Sequence, residues 1–129
     1  MSDTSQPTFK LTEVVVDASN AQALGAFYQR LLGGELHADE PDWVMLREAA
    51  TGLTLAFGTE PDYVPPTWPD RSGGHGMMLH LDFLVDDLAE GVAHAVDAGA
   101  RLADHQPQDD VRVMFDPDGH PFCLWVMPD

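Results

Sequence analysis

Cysteine occurs once, at Cys123, lysine once, at Lys10, and no apolar run approaches the roughly 18 residues that a membrane span needs. Each scarcity excludes something. A lone cysteine cannot close an internal disulfide, and the Cys/His clusters of structural zinc sites are missing. The opening stretch MSDTSQPTF has neither the basic nor the apolar region of a signal peptide, so a cytoplasmic protein is expected. Six Lys and Arg against 22 Asp and Glu leave a net charge of −16, which repels phosphate backbones and anionic lipid surfaces. Nucleic acid and membranes are therefore not expected as partners. What is there suffices for one compact domain: 129 residues, 44% of them hydrophobic, can bury a core without disulfides or a structural metal.

The chain repeats itself. With a shift of 67 positions, LTEVVVDASN at 11–20 falls on MLHLDFLVDD at 78–87, and Gly52, Leu55 and Phe57 fall on Gly119, Phe122 and Leu124. The same shift sets Trp43, Val44 and Leu46 on Asp110, Val111 and Val113. One offset serving three ordered segments is the mark of an internal duplication.

Each half reads as a strand, a helix and three strands, an α+β pattern. In the first, the β-branched run Val14, Val15 and Val16 lies in a strand over Phe9 to Asp17, and Asn20 suits a helix N-cap. Leu24, Phe27, Tyr28, Leu31 and Leu32 then line one helical face, which Gly33 and Gly34 end. Strands are predicted at Glu35–Ala38, Trp43–Glu48 and Leu53–Gly58. The second half repeats the order: a strand over Leu79–Val85, and Asp87 capping a helix with Leu88, Val92, Ala95 and Val96 on its buried stripe. Gly99 ends that helix, and strands follow near Arg101–Ala103, Val111–Phe115 and Pro121–Met127. Residues 59–76, rich in Pro and Gly, form the linker between a module at about 8–58 and one at about 77–127.

Alternation sorts the longest strands into two faces. One is apolar throughout: Val14, Val16, Leu55, Phe57, Leu79, Leu81, Phe83, Val85, Phe122, Leu124 and Val126. The other mixes Glu13, Asp17, Ala56, His80, Asp82, Cys123 and Trp125 with other small and apolar groups, as the lining of a ligand cavity on a curved sheet does.

Four stretches now stand in order: the asparagine-led helix with Phe27-Tyr28 and Leu32-Gly33, HLDFLVDD at 80–87, GAR at 99–101, and DPDGHPFCLW at 116–125. With them the chain resembles the vicinal oxygen chelate superfamily of glyoxalase I, extradiol dioxygenases and bleomycin and fosfomycin resistance proteins, and its glyoxalase-like branch most. The resemblance runs from about Thr8 to Met127. It implies two tandem βαβββ modules, a cup-shaped mixed sheet with helices on its convex face, and a homodimer. Metal-bearing members take four ligands from strands one and four of the two modules, which the resemblance places at Glu13, Ala56, His80 and Cys123. Ala56 has no donor, Glu13 stands where His is usual, and Cys123 stands where Glu is usual. A thiolate suits hard cations such as Mg²⁺, Mn²⁺ or Fe²⁺ poorly. No cofactor is expected; a divalent metal, if one binds, would rest on His80 and Glu13.

The remaining candidates each have a plain reading beside the functional one. His80 is a catalytic base near neutral pH or a hydrogen-bonded cavity histidine, with Glu13 as the other candidate base. Asp82 shares its face and orients it or is simply solvated. Cys123 is a small apolar filler rather than a nucleophile, since nothing basic adjoins it in sequence. Arg47 and Arg112 are predicted to turn into the cup with Trp43, Met45 and Met114, where they bind an anionic group or pair with surplus carboxylates. Trp68 and Tyr63 lid the cup or anchor the linker, and Trp125 lines the pocket. Two classes of function follow. The first is binding or sequestration of a small organic molecule around a degenerate metal site, without glyoxalase I chemistry. The second is a lyase, isomerase or dioxygenase, metal-dependent or metal-free. A module that holds no small ligand and serves a partner protein is the third and blandest reading.

Overall fold

A computed structural model describes residues 7–70 and 72–128. The first module contains β1 (Val14–Ala18), α1 (Ala21–Leu32), β2 (Gly34–Glu40), β3 (Trp43–Glu48) and β4 (Thr54–Thr59); the second contains β5 (Leu81–Leu84), α2 (Leu88–Ala98), β6 (Arg101–Leu102), β7 (Val111–Phe115) and β8 (Pro121–Trp125). Each module is an open, mixed, four-stranded sheet, ordered β1-β4-β3-β2 in the first and β5-β8-β7-β6 in the second. The first and fourth strands of each module run parallel and the rest antiparallel. The expected pair of βαβββ modules is therefore present.

The helix boundaries follow from local chemistry. Asn20 is extended, and its side chain accepts the Ala23 N–H at 2.9 Å. Asp87 does the same for Glu90 at 2.9 Å. Such caps satisfy one of the four orphan amides at a helix start and stabilise it by about 1 kcal/mol each. Gly33, at φ 72°, ends α1, and Gly34 follows at φ 117°. A Cβ on Gly34 would stand 2.1 Å from the Arg47 carbonyl oxygen, so only glycine lets β2 start flush against β3.

Both opening strands are shorter than predicted. Upstream of Val14, paired with Leu55, the parallel partner β4 has only its first residue, Thr54, left to offer, and Phe9 and Leu11 stay 91% and 80% exposed. In the second module β8 begins at Pro121, which has no N–H to donate to a residue before Leu81. Val96, predicted on the buried stripe of α2, is exposed. Ala95 is buried as expected, and Ala98 takes the inward place in the next turn.

The modules pack against each other within one chain. Leu24, Phe27 and Tyr28 of α1 share one core with Leu46, Phe57, Met114, Phe122 and Leu124. Tyr28 stacks on Phe57 with ring centroids 5.3 Å apart, and Phe27 meets Phe122 at 6.2 Å. Arg30 donates through Nε and Nη2 to the Ala98 carbonyl at 3.0 and 2.8 Å, closing the open end of α2. At the centre of the junction is Asp116, the one buried charged residue among those described. Its carboxylate accepts from the Tyr28 hydroxyl at 2.8 Å and from the amides of Asp118 and His120 at 2.9 Å. The His120 Nδ1 lies 2.8 Å from the same carboxylate. Tyr63 of the linker donates to the Asp118 carbonyl at 2.7 Å, and Ser19 donates to the Asp118 carboxylate through its amide and hydroxyl.

Burial disfavours the charged form of His120, but the hydrogen bond and charge of Asp116, with Asp118 behind it, lift its pKa above the ordinary histidine value. A pKa raised in the folded state contributes stability that is complete below the unfolded value and disappears as pH rises through the folded one. The stability gap between wild type and His120→Gln in urea denaturation should therefore be widest near about pH 5.5 and shrink toward about pH 8.5. A gap that grew with pH would contradict the ion-pair account.

Candidate functional site

The open face of each sheet is set by strand register. In the first module Val15, Ala56 and Met45 lie side by side across β1, β4 and β3, with Trp43 beside Gly58 and Arg47 beside Thr54. In the second, Asp82, Cys123 and Val113 line up across β5, β8 and β7, with Leu84, Trp125 and Val111 in the next row. Strands one and four keep the 67-residue shift, but Met45 corresponds to Val113, a shift of 68. The cause is a shorter hairpin: residues 48–53 separate the pair Arg47 and Thr54, whereas only 116–120 separate Phe115 and Pro121.

A slip of one residue reverses every side chain on a strand. Arg112 and Met114, predicted to face the cup, instead sit beside Leu124 and Phe122 on the core side. Met114 is fully buried. The Arg112 Nη1 donates to the carbonyls of Val111, Asp109 and Gln108 at 2.8, 3.0 and 3.3 Å, so this guanidinium braces a loop. Trp68 of the linker packs against the cluster of Ala103, Val113 and Phe115 in the second module, its ring centroid 6.3 Å from that of Phe115.

Glu13, Arg47, His80, Asp82, Cys123 and Trp125 line three adjoining pockets. A cleft of about 250 Å³ between the modules is walled by Val14, Leu32, Leu53, Leu55, Leu81 and Phe83 and rimmed by Glu13, Glu48 and Asp82. At Glu13, Leu53 and Thr54 it meets a second pocket that adds Lys10, His37, Met45 and Arg47. Across Asp82 lies a third, of about 340 Å³, lined by His80, Cys123, Trp125, Val111, Gln108 and Asp110. Sequence patterning singled out neither Gln108 nor Asp110, which stand in the loop before β7 and carry no periodic signal.

His80 Nε2 lies 3.0 Å from the Asp82 carboxylate, and both side chains are partly open to solvent. Burial, and then the charge and hydrogen bond of Asp82, push the Cys123 thiol up to about 11. At neutral pH this thiol is protonated and not nucleophilic.

The four positions where the superfamily holds a metal do not fit one. Ala56 is fully buried and offers no donor. Cys123 presents a protonated thiol to Asp82. Glu13 does not belong to the cluster of close ligand atoms that the structure forms, which comprises His80, Asp82 and Cys123.

The sequence matches the glyoxalase-like domain family over residues 13–125. The chain belongs to that family. A search of curated proteins gives no match. Solved structures share the fold. A glyoxalase/bleomycin resistance protein/dioxygenase family enzyme from Burkholderia phytofirmans PsJN is 20% identical, with a TM-score of 0.68 over 91% of this chain and 98% of that one. A glyoxalase/dioxygenase from Nostoc punctiforme is also 20% identical, with a TM-score of 0.67 and coverage of 93% and 92%. TnmS3, an antibiotic binding protein from Streptomyces sp. CB03234, is 19% identical, with a TM-score of 0.62 and coverage of 95% and 99%. At these identities the likeness speaks for the fold alone. Among the described residues of this glyoxalase-like chain, no helix is long and apolar enough to cross a membrane.

A thiol near 11 holds about a hundredfold less thiolate than an unperturbed one, partly offset by the greater nucleophilicity of a more basic thiolate. With a chelator present, Cys123 should react with iodoacetamide at least about tenfold more slowly than free cysteine. Asp82→Asn should speed that reaction severalfold, and an unchanged rate would separate Asp82 from the thiol.

Proposed function

We propose that this glyoxalase-like protein binds a small organic molecule in the groove between its modules and does not transform it. The observation that carries this reading is the cleft itself, an apolar slot of about 250 Å³ whose charged groups are the carboxylates of Glu13, Glu48 and Asp82. Such a slot holds an apolar body, and its rim attracts a neutral or cationic one. The net charge of −16 reinforces that preference. Arg47 and Lys10 stand at the far end of the groove, and Arg112 is spent on loop carbonyls, so an anionic group finds little to hold it. The loss of a donor at Ala56 supports binding over superfamily metal chemistry, and an antibiotic binding protein of the same fold provides a precedent. With its single, protonated thiol, the chain suits a reducing compartment such as the cytoplasm.

A second reading is favoured by one contact. His80, oriented by Asp82 at 3.0 Å and facing a pocket, has the arrangement of a general base for a metal-free isomerase or lyase. Titrating matched cationic, neutral and anionic aromatic compounds against tryptophan fluorescence, with chelator present and the ligand recovered for mass spectrometry, distinguishes these readings. Saturable binding of a cationic or neutral compound, recovered unchanged and weakened about tenfold or more by Glu13→Gln or Asp82→Asn, is expected. Preference for anions, or no saturable binding, would sink the binding reading. Turnover that vanishes in His80→Ala would establish the second.

The homodimer is part of the same proposal. Phe9, Leu11, Met78 and Leu79, between 75% and 94% exposed, precede the unpaired edges of β1 and β5 and offer a second copy an apolar surface. Sedimentation equilibrium should give twice the chain mass, and Leu11→Asp with Leu79→Asp should halve it. A wild-type monomer would refute the dimer without touching the groove.

A further inference from the structure

Between the linker and the outer edge of the second sheet lies a further pocket, of about 540 Å³, which shares no lining residue with the three pockets of the groove. Its walls are held in place. The Tyr63 hydroxyl fastens the linker to the Asp118 carbonyl, the Thr67 amide donates to the His75 carbonyl at 2.7 Å, and a Cβ on Gly119 would stand 3.0 Å from the Pro65 side chain. Antiparallel pairing of β6 with β7 sets Arg101 opposite Phe115, and the guanidinium carbon lies 4.5 Å from the centre of that ring. Phe115 is buried and meets the Trp68 indole edge-on.

Arg30 and Arg112 spend their guanidinium donors on backbone carbonyls. Arg101 does not. Among the described residues it has no hydrogen bond and no ion pair, although the chain carries 22 Asp and Glu. The two carboxylates that line the pocket are turned elsewhere: Asp118 accepts from the Ser19 amide and hydroxyl, and Asp70 from the Ser72 amide.

We propose that this pocket binds a small planar carboxylate, an aromatic or heteroaromatic acid, with Arg101 as its anchor. The inference is separate from ligand binding in the groove and does not rest on it. Stacking on Phe115 covers one face of the guanidinium and leaves its N–H edge free, and that edge matches a carboxylate with two parallel hydrogen bonds. The ring also restrains the arginine before the ligand arrives, so less side-chain freedom is lost on binding. Trp68, Pro65, Pro66 and Pro117 offer apolar surface to the body of the acid. One cation with Asp70 and Asp118 nearby suits a single negative charge and disfavours a phosphate dianion. The net charge of −16 does not forbid the anion, because at physiological salt the screening length of about 8 Å confines repulsion to near neighbours.

The full-length protein, with chelator present, is titrated calorimetrically with 2-naphthoate and with its neutral isostere 2-naphthamide. One naphthoate per chain, bound about tenfold or more tighter than the amide, is expected. Arg101→Gln should remove that preference by weakening naphthoate about tenfold while changing the amide less than about twofold. Arg101→Lys, which keeps the charge but loses the fork, should fall between. Trp68→Leu should weaken both compounds severalfold, and Glu13→Gln should change neither. Urea midpoints confirm that each variant folds. No saturable naphthoate binding, equal affinity for the amide, or naphthoate affinity indifferent to Arg101→Gln or to Trp68→Leu would overturn the site. Repeating the groove titration in the Arg101→Gln protein removes this pocket from that measurement, so failure of either proposal leaves the other standing.

Discussion

Asp116 keeps its charge out of water only because four separate groups turn toward it: the Tyr28 hydroxyl from α1, two amides of its own hairpin, and the His120 ring. A buried carboxylate without such donors would cost several kcal/mol, more than a domain of this size can spare. Three of these donors belong to its own hairpin and one, the Tyr28 hydroxyl, comes from the first module, so docking of the modules completes the set. Burial and the neighbouring Asp116 in turn hold the Tyr28 proton firmly, well above the usual tyrosine range, which keeps the hydroxyl a donor at any physiological pH. The node ties the first helix to the last hairpin across the junction of the two modules. The aromatic packing of Phe27, Tyr28, Phe57 and Phe122 supplies the bulk of the burial around it.

Much of this was legible in the residues. Caps at Asn20 and Asp87, glycine stops and β-branched runs fix element order because they act over a few residues, and the duplication carried the reading of one module to the other. The apolar face was recovered for β4 and β8, where Leu55, Phe57, Phe122 and Leu124 are buried as alternation predicts. What failed was register. Arg112 looked like the partner of Met45 because a single offset was applied to all strands, and one residue fewer in the second hairpin turned the strand over. The linker aromatics were undecidable in sequence for another reason. Trp68 packs on residues far from it in the chain, and no local pattern records such a contact. The cluster of His80, Asp82 and Cys123 was visible residue by residue, but the pairing of β5 and β8 that unites it was not.

Membership of the glyoxalase-like family and the absence of a donor side chain at position 56 are compatible because the fold and any groups that bind within it are specified separately. The fold needs a small or apolar group at position 56, where the side chain is fully covered, and Ala56 satisfies that demand while offering no donor. At position 123 a partly buried thiol packs as a small apolar group against Ala103, Val113 and Phe115, and sulfur is a softer donor than a carboxylate. Function on a shared scaffold can thus drift by substitutions that cost the scaffold almost nothing.

The Trp68 indole of the linker has one more consequence. Two half-sheets with the same strand order now differ in what covers them: the second carries an indole from the very segment that joins the copies, packed against Ala103, Val113 and Phe115. The connection between the copies thus breaks the rotational equivalence that their common strand order would otherwise give them.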